Sequence, residues 1–169
     1  MNYIKLFDQY NTGLGSEPYS QSEEIKNLLQ IDYPLFHKTP FIKNVSKILN
    51  QGIKRIPNKI LHYLGFGGNP LDGISFTNSF KLCKSKWKGD ITFIFDKNEI
   101  INQYGDNFRI IKEGGESEEL LVGVNHIDKR LIKAVMFSDN IETKEIKQIK
   151  NQFNIITLQQ TSDNKVILV

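Results

Sequence analysis

The order in which helix and strand signals follow one another is what most limits the fold of this chain. Helical patterns interrupt strands in the first half, and strands dominate the second. That order excludes a regular βαβ alternation and predicts an α+β domain. The firmest strand is residues 90–95 (Asp-Ile-Thr-Phe-Ile-Phe), which alternates and is rich in β-formers. Residues 31–39 read as another strand, stopped by Pro40, and residues 73–78, 116–123, 131–138, 155–159 and 165–169 as further strands. Ser20-x-x-Glu23 and Asp96-x-x-Glu99 are capping-box patterns that open short helices. The first of these places Ile25, Leu28 and Leu29 on one face, and the second runs to about Tyr104.

Thr39 and Pro40 predict a helix start, Ile42, Val45, Ile48 and Leu49 recur at helical spacing, and Gly52 supplies a stop. Residues 143–153 predict an amphipathic helix with Ile146, Ile149 and Phe153 inward. Residues 53–73 hold Pro57, Pro70 and a Gly65-Phe66-Gly67-Gly68 stretch, and read as a long loop with one strand at residues 60–64. Gly114 and Gly115 mark a turn. The domain organisation expected is an N-terminal arm and short helix over 1–30, then a single domain over 31–169.

The 169 residues suffice for one domain with a core, and 39% hydrophobic with 24% charged residues is ordinary for a soluble globular protein. No apolar run is long enough to span a bilayer, and a signal-peptide core is lacking at the start, so no membrane partner is expected. The single cysteine, Cys83, rules out an internal disulfide and a cysteine zinc cage, in keeping with a cytoplasmic setting. A net charge of +3 is too small to declare a nucleic-acid binder. Lys81, Lys84, Lys86 and Lys88 surround Trp87, a pattern that can meet a nucleic-acid backbone and stack a base, or form a solvated loop with Trp87 folded inward. His62 and His126 have no second ligand at metal spacing, so no metal is expected. Cys83 has no basic or histidine context that would make it a nucleophile.

Three segments carry chemistry. His37 ends an apolar strand and is followed by Lys38 and Thr39; a strand-end imidazole can bond a ribose hydroxyl while its other nitrogen is held by backbone. Ser75 and Thr77 flank Phe76 in a strand, so their hydroxyls share a face and Phe76 takes the other. Glu116-Ser117-Glu118-Glu119 follows two glycines and runs into Leu120-Leu121-Val122. Clustered carboxylates there cost stability unless exposed or used. By alternation Glu116 and Glu118 share one face and Glu119 the opposite one. A partly desolvated carboxylate can polarise a sugar hydroxyl and stabilise an oxocarbenium-like transition state.

Taken in order, these segments resemble the three core motifs of the ADP-ribosyltransferase-like superfamily, in its histidine-bearing branch and its small phage and bacterial type. Leu35-Phe36-His37-Lys38-Thr39 resembles the first-strand motif, Ile74-Ser75-Phe76-Thr77 the second, and Glu116-x-Glu118 the third, over roughly residues 33–138. Lys38 stands where the family has glycine, and Asn78 where an arginine often follows the second motif. The stacking tyrosine of the middle position has Phe76, Phe80 or Tyr63 as candidates. Glu119-Leu120-Leu121 also resembles the third motif, which leaves its register open.

The resemblance implies a split, mostly antiparallel β core flanked by short helices. It implies NAD as substrate with no metal, cleavage of the nicotinamide–ribose bond, and transfer of ADP-ribose to a macromolecular acceptor, protein or nucleic acid. His37, Lys38, Thr39, Ser75, Phe76 and Thr77 would bind NAD, and Glu118, Glu116 or Glu119 would supply catalysis. The setting implied is a toxin or effector in the cytoplasm, the host's if phage-encoded. Two other classes compete. One is a non-catalytic nucleotide- or protein-binding module on the same fold, and the other an RNA-directed toxin pointed to by the lysine stretch.

Overall fold

In a computed structural model of the chain, residues 21–39, 42–56, 73–80, 89–113, 116–163 and 165–169 are described. The helix after the first capping box is α1 (Gln21–Leu29), followed by β1 (Pro34–Thr39). Then come α2 (Lys43–Gln51), β2 (Ile53–Lys54), β3 (Gly73–Thr77), β4 (Ile91–Asp96) and α3 (Lys97–Tyr104). β5 (Phe108–Glu113), β6 (Glu116–Val122), β7 (His126–Ile127) and β8 (Ile132–Phe137) follow. α4 (Thr143–Phe153), β9 (Ile156–Gln160) and β10 (Val166–Leu168) complete the order.

The architecture is α+β, built on one mostly antiparallel sheet in the order β10-β9-β8-β4-β1-β3-β6-β5, with a small β2-β7 ribbon beside it. β8 and β9 form its parallel pair, and the chain crosses between them through α4. β4 is buried from Ile91 to Phe95, Thr92 included, because both faces of the sheet are covered there. α2, α3 and α4 cover one face, with Val45, Leu49, Ile100, Ile146 and Ile149 against Leu35, Phe76, Phe93, Phe95 and Leu121. α1 covers the other, where Ile25 joins Phe36, Phe80, Ile94 and Met136.

Several local expectations shift. Asp96 caps α3 by accepting from the Asn98 N–H at 2.9 Å, but Glu99 does not close the box: it pairs with Lys133 on β8. α2 begins at Lys43, later than Thr39 and Pro40 predict; Pro40 itself lies outside the described residues. Gly52 does end it, at φ +80°, with its N–H on the Ile48 carbonyl. β5 has no counterpart in the sequence reading; it forms because β6 offers it a full antiparallel register from Phe108↔Leu121 to Glu113↔Glu116. The strand expected at 60–64, the Gly114-Gly115 turn and the lysine stretch 81–88 lie outside the described residues.

The sheet is nearly divided. β1 is fully paired with β4, from Pro34↔Asp96 to Thr39↔Ile91. β1 and β3 meet at a single ladder position, Phe36↔Thr77. Two sub-sheets, β10-β9-β8-β4-β1 and β3-β6-β5, therefore hinge on one pair.

Gly52 gives the first test of this packing. A Cβ there would overlap the Ile127 carbonyl oxygen and come within 2.7 Å of the His126 ring, on a backbone already at positive φ. Gly52→Ala should cost about 1–3 kcal/mol in urea unfolding. Gly105→Ala, whose Cβ would meet nothing nearer than 3.8 Å, should stay within about 0.5 kcal/mol of the parent. Equal stability of the two variants would contradict the α2–β7 contact.

Candidate functional site at the β1–β3 seam

Beyond Phe36↔Thr77 the two strands part, and a side chain takes over from the ladder. His37 Nδ1 lies 2.9 Å from the carbonyl oxygen of Ser75. A carbonyl can only accept, so Nδ1 carries the proton and Nε2 of the neutral ring is an acceptor. The imidazole also meets the Phe76 ring edge-on at 5.9 Å, and Phe76 in turn meets Phe95 at 5.4 Å. Burial pushes the His37 pKa below its ordinary value, and the Ser75 bond opposes that in part.

The pairing fixes which residues share a face. Phe36 opposes Thr77, so their neighbours His37 and Phe76 point together to the other side. Phe76 opposes Glu119 on β6. His37, Phe76 and Glu119 thus occupy one face across three adjacent strands, although they lie far apart in sequence.

Glu119 is 1% exposed. A carboxylate so deeply buried needs charge and hydrogen-bond compensation. Lys97 Nζ donates to Oε1 at 2.8 Å and lies 2.7 Å from Oε2, and Asn78 Nδ2 donates to Oε1 at 2.9 Å. Oε2 is within ion-pair distance of Lys97 but makes no hydrogen bond among the described residues. Lys97 is itself buried, with Nζ 5.6 Å from the centre of the Phe108 ring. Its backbone N–H donates to the Tyr33 carbonyl at 2.9 Å, which ties the head of α3 to the start of β1.

The other expected residues have different surroundings. Ser75 meets His37 through its backbone carbonyl, and its side chain shares the Phe36 face with Thr77. Thr77 is buried, and its hydroxyl accepts from the Ser79 N–H at 3.1 Å, closing β3. The structure therefore does not gather the two hydroxyls with His37. Thr39 is buried and accepts from Asn44 Nδ2 of α2 at 3.4 Å. Lys38 is partly buried and registers opposite Thr92 of β4. Glu118 registers opposite Thr77, and Glu116 opposite Glu113; their side chains lie outside the described part.

Sequence reasoning missed Lys97 and placed Asn78 only as a departure from a family pattern. The signal for Glu119 was present in its alternation with Leu121, which is fully buried. Among the described residues no group of three or more His, Cys, Asp and Glu side chains is arranged to hold a metal. His126 binds the Gln51 carbonyl through Nε2. His62, Cys83 and Trp87 lie outside the described residues. No described helix is long and apolar enough to cross a membrane. No protein-family model and no curated protein matches the chain.

Two measurements check this geometry. Glu119→Gln or Lys97→Met each leaves a buried charge without its partner and should cost about 3–5 kcal/mol. The double variant should cost clearly less than the sum of the two; strict additivity would mean that the groups do not interact. The second concerns pH. With its folded-state pKa depressed, His37 stays neutral in the native protein while the unfolded chain takes up a proton below about 6.5. This contribution to stability is complete above about 6.5 and is lost as pH falls from there through the lower folded-state value. His37→Asn should flatten the slope of unfolding free energy against pH in that window, and an unchanged slope would remove His37 as its source.

Proposed function

We propose that this chain is an ADP-ribosyltransferase-like protein that takes NAD at the β1–β3 seam and passes ADP-ribose to a macromolecular acceptor. The observation that carries the reading is the alignment of His37, Phe76 and Glu119 on one face of three neighbouring strands. Each comes from one of the three motif-like segments, and their strands are adjacent in the sheet. The alignment favours Glu119 over Glu118 as the third-motif glutamate, with Ser117 two positions before it.

In this reading His37 accepts a ribose hydroxyl at Nε2, its ring held by the Nδ1 bond to Ser75. Phe76 backs the His37 ring edge-on from the core. Glu119 accepts the hydroxyl adjacent to the reacting ribose carbon and stabilises the positive charge that develops on the sugar. The C–N bond between ribose and nicotinamide breaks with its electron pair going to the ring nitrogen, so neutral nicotinamide leaves. A nucleophilic N, O or S of the acceptor then bonds the ribose carbon and releases its proton to solvent or a nearby base. Such a route draws on positioning and electrostatics, and the chain's own groups suffice for it.

A second reading is a non-catalytic binding module on this architecture. It is favoured by the depth of Glu119, which is buried and already paired with Lys97. The RNA-directed alternative rests on lysines 81–88, which lie outside the described residues.

Nicotinamide release from NAD by the purified protein separates these readings. The parent and Glu118→Gln should release nicotinamide. Glu119→Gln, with its folded fraction checked by circular dichroism, should fall by about 10²–10³-fold. Absence of both release and NAD binding by the parent would overturn the enzyme reading and leave the binding module.

A further inference from the structure

We propose that Lys97 and Asn78 are positioning residues for Glu119: together they hold its carboxylate in one orientation on the face that His37 and Phe76 share. The role rests on reading the seam as the NAD site. Oε1 receives two donors, from Lys97 at 2.8 Å and from Asn78 at 2.9 Å, and those bonds hold the carboxylate against rotation about its last torsion. Oε2 is buried, with Lys97 Nζ 2.7 Å away, so the one ammonium spans both oxygens of the carboxylate.

Lys97 is itself held from three sides. Its N–H is fixed on Tyr33, its ammonium lies near the Phe108 ring, and it occupies the first position of α3 directly after the Asp96 cap. The first turn of a helix is the end where a cation is least favoured. Lysine there gains little from the helix, whereas the position places its ammonium at Glu119. Asn78 sits just past the end of β3, is exposed, and donates to the same oxygen.

The test compares steady-state nicotinamide release by the parent, Glu119→Gln, Lys97→Met, Lys97→Arg and Asn78→Ala, with thermal unfolding of each. Lys97→Met should lower kcat on the order of 100-fold with KM for NAD little changed, because the carboxylate is misplaced. Lys97→Arg should recover most of that loss. Asn78→Ala, on an exposed side chain, should keep the fold and still lower kcat about tenfold. If Glu119→Gln loses activity while a folded Lys97→Met and Asn78→Ala keep parental kcat, the positioning role is overturned and the NAD reading stands. If Lys97→Met unfolds, Asn78→Ala decides: parental kcat there overturns the role. If the parent releases no nicotinamide, the NAD reading falls and takes the role with it.

Discussion

The contact between β1 and β3 is the constraint on which the rest of this structure depends. β1 is an inner strand, fully laddered to β4, with helices over both faces of the sheet. On its other edge the ladder narrows to Phe36↔Thr77. A sheet interior cannot leave a backbone carbonyl without a donor cheaply, because the lost hydrogen bond is not returned by water. The Ser75 carbonyl is satisfied by the His37 ring instead of a strand N–H. That exchange puts a titratable imidazole at a structural joint, and it explains why the ring has one fixed nitrogen and one acceptor to offer. It also sets parity for the neighbouring strands, since moving the pair by one residue would send Glu119 to the face of α1.

Much of the fold was legible from the chain. Residues 90–95 alternate and are rich in β-formers, and β4 forms there; Ile146 and Ile149 are spaced for a core-facing helix, and α4 buries both. β5 was not legible because Arg109, Lys112 and Glu113 break any apolar pattern at a sheet edge. What makes it a strand is the free edge of β6, a tertiary fact. The head of α2 was misread for a related reason: a threonine–proline pair is compatible with a helix start, but Thr39 is spent as the last residue of β1 and bonds back to Asn44.

The site was legible by halves. His37, Phe76 and Glu119 each announce themselves by alternation within an apolar strand, so their types and faces follow from period two. Ser75 and Thr77 obey the same rule, and for that reason sit opposite His37. Lys97 could not be found this way. A lysine one residue after a helix cap is ordinarily a solvated side chain, and only the crossing of β4 into α3 beside β6 brings it to Glu119. Asn78 is similar, since its partner lies 41 residues away in sequence but next to it across the sheet.

Stability alone does not account for the Lys97–Glu119 pair. Apolar residues of similar volume commonly serve a buried position as well as an ion pair does, and sometimes better. Glu119 lies next to Leu120 and Leu121, both fully buried, so an aliphatic side chain would be at home in its place. A lysine at the start of α3 works against the helix dipole and must be desolvated as well. What the pair supplies, and a leucine–methionine pair would not, is a carboxylate held in one orientation on the face that His37 and Phe76 share. The sheet thus carries, on one face, a carboxylate held by Lys97 and Asn78 and an imidazole held through Nδ1 by the Ser75 carbonyl.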